Sequence, residues 1–211
     1  MRSVSYRDFL AVNRGGGLYS EAVSQRLGAL VALGAYRLGL SPSTLSLLNV
    51  LIGVSSSVLC LVSGAFGLVG WQLAYAFDCA DGQLARATGR ASPAGARLDV
   101  LCDLAVQISV VTALASFCPS APGYLLALFA GTWLVNLVTS VLQSSSPASL
   151  LPSAALPVRL VKLTRDYGFV ILVAGAIVTI RPQWTIGLVL ALTVLNGSYL
   201  LAALLRPPDS R

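Results

Sequence analysis

The chain alternates long apolar runs with short polar breaks, and six such runs follow one another from Ser41 onward. Ser41-Pro42-Ser43 opens the first, a serine cap followed by the proline favoured in a first helical turn. That helix is expected over about 42–62. Ser63-Gly64 and Gly67 mark a tight connection, and the second run covers about 66–87. A polar turn at 88–93 leads into the third, about 94–117. Pro119, Pro122 and Gly123 make the next turn, before a fourth run over about 124–142. Residues 144–157 are rich in Ser and Pro, cannot continue a regular helix and read as an interfacial linker. The fifth run, about 167–180, is short for a bilayer crossing, so a re-entrant segment is its alternative. Arg181-Pro182 ends it, and the sixth covers about 184–205.

Ahead of these runs, residues 1–19 are polar and Gly-rich and read as a mobile cytosolic lead-in. Residues 20–38 set Glu21, Gln25, Arg26 and Arg37 among Ala, Val and Leu, the pattern of an amphipathic helix lying at a membrane interface. An ordinary juxtamembrane segment fits them equally well. The expected fold is all-α and integral to the membrane: six transmembrane helices with an N-terminal interfacial amphipathic helix. It divides into a cytosolic N-terminal segment (1–39), a six-span domain (40–206) and a tail (207–211). No internal repeat is apparent.

Composition agrees with the pattern. Of 211 residues, 56% are hydrophobic and 10% charged, and the mean hydropathy is +0.80. A soluble domain carries about 25% charged residues. The net charge of +6 does not point to nucleic acid, because the basic residues flank apolar runs and form no separate basic domain or aromatic platform. Their placement is instead an orientation signal. With six alternating spans, the side holding both termini, the 88–93 turn and the 144–157 linker has every Lys and Arg except Arg181. The termini and that turn are therefore expected on the cytosolic side of a multi-pass protein of the cell membrane.

Cys60, Cys79, Cys102 and Cys118 form no CxxC pair and read as small apolar filler. Cys79 and Cys102 neighbour two aspartates, but two thiols without any His make a poor zinc shell. No disulfide framework is implied, and no cleavable signal peptide is expected, since the N-terminus lacks an early apolar core.

The candidate chemistry lies at the end of the second run and the start of the third. Four of the eight acidic residues fall there: Asp78, Asp81, Asp99 and Asp103. A carboxylate near lipid is costly unless it binds a cation or lines a wet cavity. Asp78, Asp81, Gly82 and Ala85 share one helical face, and Gly95, Asp99 and Asp103 share another. The short turn makes the two helices antiparallel neighbours, so all four carboxylates can converge. Gly82, Ala85 and Gly95 leave room for close packing or a ligand. Bare carboxylates at such range would repel one another. One or two Mg2+ ions relieve this, with Mn2+ as a substitute, and Mg2+ also takes phosphate oxygens. Arg86 follows as a fork of donors for phosphate. The set suggests phosphoryl-type transfer. Helix-end ion pairs with Arg86, Arg90 and Arg97 do not account for four acids on two matched faces. A small cation transporter is the reading from another class, but transport spreads polar groups across membrane depth, and these acids cluster at one end.

The spacing Asp78-x2-Asp81-Gly82-x2-Ala85-Arg86-x8-Gly95-x3-Asp99-x3-Asp103 resembles the signature of the CDP-alcohol phosphotransferase family without departure. The resemblance implies an enzyme of six-span fold that transfers the phosphoalcohol part of a CDP-alcohol to an acceptor hydroxyl and releases CMP. It implies that Asp78, Asp81, Asp99 and Asp103 hold the metals, with Asp78 and Asp99 bridging, and that Asp103 is the base for the acceptor proton. By the same resemblance Gly82, Arg86 and Ser92 contact the CDP part, as does the start of the first span, Ser41-Pro42-Ser43-Thr44. Ser43 stands where the family often carries Asn. A homodimer is implied by the family alone.

For the acceptor, Arg159, Lys162 and Arg165 cluster before the fifth run and can bind an anionic alcohol such as an inositol or glycerol phosphate. Plain positive-inside flanking explains them too. Asp166 pairs with Arg165 or orients it. Gln107, Asn136 and Gln143 line a cavity or form ordinary interhelical hydrogen bonds. The expected donor is CDP-diacylglycerol and the expected acceptor a small polar, phosphorylated alcohol, in phospholipid biosynthesis. A soluble CDP-alcohol donor with a lipid or sugar-phosphate acceptor is the alternative.

Overall fold

The computed structural model describes residues 4–13, 16–143 and 163–205. These are mostly helical, with no strand among the described residues. A short helix α1 (Tyr6–Ala11) precedes a π-helical turn (Ser20–Ser24) that runs into α2 (Gln25–Arg37). Then come α3 (Pro42–Cys60), α4 (Gly64–Ala87), α5 (Pro93–Ser116) and α6 (Gly123–Gln143). After the linker follow α7 (Tyr167–Ile180), a 3-10 turn (Pro182–Trp184) and α8 (Thr185–Leu204).

The helix ends follow local chemistry. Ser41 caps α3 by accepting the Thr44 amide at 3.1 Å, with Pro42 in the first turn. Ser92 and Pro93 repeat the device at α5, where the Ser92 hydroxyl accepts the Gly95 amide at 3.1 Å. At the other end of that turn, Gly89 takes φ +66°, a left-handed conformation that costs glycine nothing.

Among the described residues, three helices are long and apolar enough to cross a membrane, Pro42–Cys60, Pro93–Ser116 and Pro182–Ala202, and two shorter apolar helices accompany them. This marks a membrane protein. Large apolar side chains face outward along α3 and α8, among them Leu47, Leu51, Val58, Val194 and Leu201. In water such a surface would be a liability; in lipid it is ordinary.

Helix α4 is the central element, packed by α2, α3 and α7, while α6 packs on α8. Small residues permit this crowding. A Cβ on Gly28 of α2 would lie 2.7 Å from Cys79 Cβ, and one on Gly175 of α7 would lie 2.5 Å from the Leu68 Cα. Two apolar clusters result. One gathers Trp71, Val110, Leu114, Phe129, Trp133, Ile171 and Val189, and the other Phe9, Ala29, Ala32, Leu45, Ala80 and Leu84.

The second cluster corrects the expectation of a mobile lead-in. Residues 4–13 carry helix α1, and Phe9 is fully buried. The Asp8 carboxylate starts that helix by accepting the Ser5 amide and hydroxyl, both at 2.7 Å. The 144–157 linker and the 207–211 tail lie outside the described residues.

Candidate active site

The acidic residues sit on the last turns of α4 and the early turns of α5, which the 88–93 turn brings side by side. Asp78, Asp99 and Asp103 each offer a carboxylate oxygen, and the three oxygens lie within 4.8 Å of one another. Asp81 belongs to the same group by position. It lies three residues after Asp78 on α4 and lines a cleft together with Asp99. An all-oxygen donor set of this charge and spacing fits a hard divalent cation such as Mg2+. The thiols of Cys79 and Cys102 are not part of the cluster.

Helix α3 supplies the outer partners. The Ser46 hydroxyl donates to Asp81 Oδ2 at 2.5 Å, and Asn49 Nδ2 donates to Asp78 Oδ1 at 3.4 Å. Both residues are buried. Such partners fix the orientation of metal-binding carboxylates. Neither was singled out from sequence. The signal was present: Ser46, Asn49, Gly53 and Ser57 recur at helical spacing on one face of an otherwise apolar helix.

Beside the carboxylates a cleft opens between α3, α4 and α5. Its walls include Pro42, Ser43, Ser46, Gly82, Arg86 and Ser92, with Asp81 and Asp99 at its inner end. Among the residues expected to touch a nucleotide, Ser41 and Thr44 are not in this wall. Their hydroxyls pair with each other at 2.8 Å in the cap of α3. Gly82 gives the cleft its floor: a Cβ there would lie 2.8 Å from Arg86 Nη1 and 3.1 Å from Nη2, so the guanidinium rests against it.

A second cavity lies between α5, α6, α7 and α8, lined by Gln107, Trp133, Asn136, Arg165, Tyr167 and Asn196. Gln107 Oε1 accepts from Trp133 Nε1 at 2.8 Å, and Asn136 Nδ2 donates to Asn196 Oδ1 at 3.1 Å. Gln107 and Asn136 thus both line a cavity and bond between helices. Arg165 donates to Asn136 Oδ1 at 2.8 Å and stacks 3.3 Å over the Tyr199 ring. The buried Tyr167 hydroxyl has no hydrogen-bond partner among the described residues. Arg159, Lys162 and the side chain of Gln143 lie outside the described residues.

Asp166 does not pair with Arg165. It is buried and turns to the opposite side, where it accepts the Ser20 amide at 2.8 Å and also the Ser20 hydroxyl. The Ser20 hydroxyl also meets Tyr75 at 3.0 Å. A start-of-helix amide and hydroxyl compensate a buried carboxylate without a cation. Burial, and then the Asp166 carboxylate, raises the Tyr19 phenol above its ordinary value. Tyr19 accordingly stays a donor, to Gln72 Oε1 at 2.9 Å.

Residues 40–195 match a family model described as CDP-alcohol phosphatidyltransferase. No curated protein matches the chain.

Proposed function

The chain belongs to the CDP-alcohol phosphatidyltransferase family, and from that premise we propose that it is a Mg2+-dependent enzyme of phospholipid biosynthesis. It transfers the phosphatidyl group of CDP-diacylglycerol to the hydroxyl of a small phosphorylated alcohol and releases CMP. The observation that carries this reading is the gathering of Asp78, Asp99 and Asp103 within ligand distance of one another, with Asp99 also lining a cleft walled by Arg86 and Ser92.

The roles follow from chemistry and position. Asp78, Asp81, Asp99 and Asp103 hold one or two Mg2+ ions, for which Mn2+ substitutes. When bound, Mg2+ draws charge from the pyrophosphate and makes CMP a better leaving group. The cleft takes the CDP part: Gly82 lets the nucleotide approach α4, Arg86 faces its phosphates, and Ser92, Pro42 and Ser43 line its walls. Ser41 and Thr44 serve it indirectly, by starting α3 at its rim. Asp103 accepts the proton of the acceptor hydroxyl as that oxygen forms its bond to the β-phosphorus. The bond from that phosphorus to the bridging oxygen breaks, and CMP carries the electron pair away.

Arg165 and Tyr167 make the second cavity the candidate acceptor site. Both line it, and Gln107 lies one helical turn beyond Asp103. Arg159 and Lys162 are assigned to the same site from sequence alone. The chain is read as a homodimer with six spans per subunit, α3 to α8, with the 20–38 segment lying at the interface. Its termini and active site face the cytosol of a cell membrane.

The test is CMP release from protein in detergent or liposomes, offered a panel of CDP-donors and acceptor alcohols with Mg2+. CMP formed with CDP-diacylglycerol and a phosphorylated alcohol supports the reading. CMP formed only with a soluble CDP-alcohol moves it to the alternative donor class. No CMP from any pair, with Asp103→Asn indistinguishable from wild type, removes the enzyme.

A further inference from the structure

Helix α1 and the two residues after it lie against the cleft end of α4. Phe9 anchors them, fully buried in one cluster with Leu45, Ala80 and Leu84. Beyond the helix, the Val12 carbonyl accepts from Arg86 Nε at 2.9 Å. Asn13 Oδ1 accepts from Gln83 Nε2 at 2.7 Å, and the same amide nitrogen donates to the Gln25 carbonyl at 2.9 Å. Further along, Ser20 is tied to Asp166. Contacts on both sides of Val12 thus fix where its carbonyl sits.

An arginine side chain has many rotamers, and ordering it at the moment of binding lowers affinity. A carbonyl on Nε fixes the plane of the guanidinium beforehand. The terminal nitrogens rest over Gly82 in the cleft. Arg86 therefore meets an anion in the cleft with its fork already set.

We infer that the Val12 carbonyl, held by Phe9 and Asn13, is a positioning group for Arg86, so that the N-terminal segment raises the affinity of the cleft for a nucleotide phosphate. This rests on the reading of the cleft as the CDP site. It assigns residues 9–13, which lie outside the span matched by the family model, a part in donor binding.

The experiment uses the full chain in detergent and two probes, CMP and Mn2+. CMP affinity is measured by calorimetry with Mg2+ present, and Mn2+ binding at the carboxylates by electron paramagnetic resonance. Asn13→Ala and Phe9→Ala are each expected to weaken CMP binding by about three- to tenfold and to leave Mn2+ affinity unchanged. Unchanged CMP affinity in both variants overturns the inference. So does a parallel loss of CMP and Mn2+ binding, since that is what general loosening of the fold produces. Arg86→Ala is the control for the underlying reading. If it binds CMP as wild type does, the cleft is not the nucleotide site and the inference falls with that reading. If it binds CMP weakly while Asn13→Ala and Phe9→Ala do not, the inference alone fails.

Discussion

Ser46 and Asp103 carry the sharpest tests at the scale of single residues. The Ser46 hydroxyl donates to Asp81, and removing it leaves a buried carboxylate with one donor fewer. Partners of this kind are worth about 10- to 100-fold in metal affinity. Ser46→Ala is therefore expected to shift the Mg2+ concentration for half-maximal activity upward by about that factor. Activity should recover at saturating Mg2+. A titration of CMP release against Mg2+ checks this, and an unshifted curve with a lowered plateau contradicts it. Asp103→Asn keeps the size of the side chain and removes the proposed proton acceptor. Turnover should fall by about 10^2- to 10^4-fold, while the melting temperature stays near that of wild type.

Gly175 is the test at the scale of helices. Its missing Cβ lets α7 touch the backbone of α4 at Leu68. Gly175→Ala forces the two helices apart and is expected to destabilise the protein by about 1–3 kcal/mol. Thermal unfolding in detergent reads this out. Gly131, around which a Cβ would meet nothing within 4 Å, is the matched control, and Gly131→Ala should be close to neutral. Helices were also the scale at which the sequence was most legible. Hydrophobic runs bounded by Ser-Pro, Gly and Arg-Pro signals fall within about two residues of the observed ends, and the fifth run coincides with α7. Legibility failed where one residue decided the matter. Phe9 sits in a short apolar patch between polar and Gly-rich residues, and nothing local says that a cluster from α2, α3 and α4 will receive it. Asp166 has its partner 146 residues away in Ser20, so its neighbour Arg165 looked like the natural one. The carboxylate cluster was readable because both of its faces belong to adjacent helices joined by a short turn. The second cavity was not readable as a whole. It needs α5, α6, α7 and α8 together, and their pairing is not written in local spacing.

For the whole molecule, orientation and activity remain to be measured. The distribution of Lys and Arg predicts that a cysteine introduced at Arg181 reacts with an impermeant maleimide in intact cells. One introduced at Ser210 should react only after the membrane is opened. Reversed labelling would invert the topology, and labelling of both in intact cells would change the number of spans. The native thiols interfere little, since Cys60, Cys102 and Cys118 are buried and Cys79 is half-buried. The central claim is that the aspartate cluster at the junction of α4 and α5 releases CMP from a CDP-alcohol. The direct measurement is CMP formed by purified protein given CDP-diacylglycerol and a panel of phosphorylated alcohols, with Mg2+ and again with a chelator. The expected result is CMP from one acceptor, lost with the chelator and in Asp103→Asn. Equal CMP from wild type and Asp103→Asn, or CMP release that survives the chelator, would contradict the account.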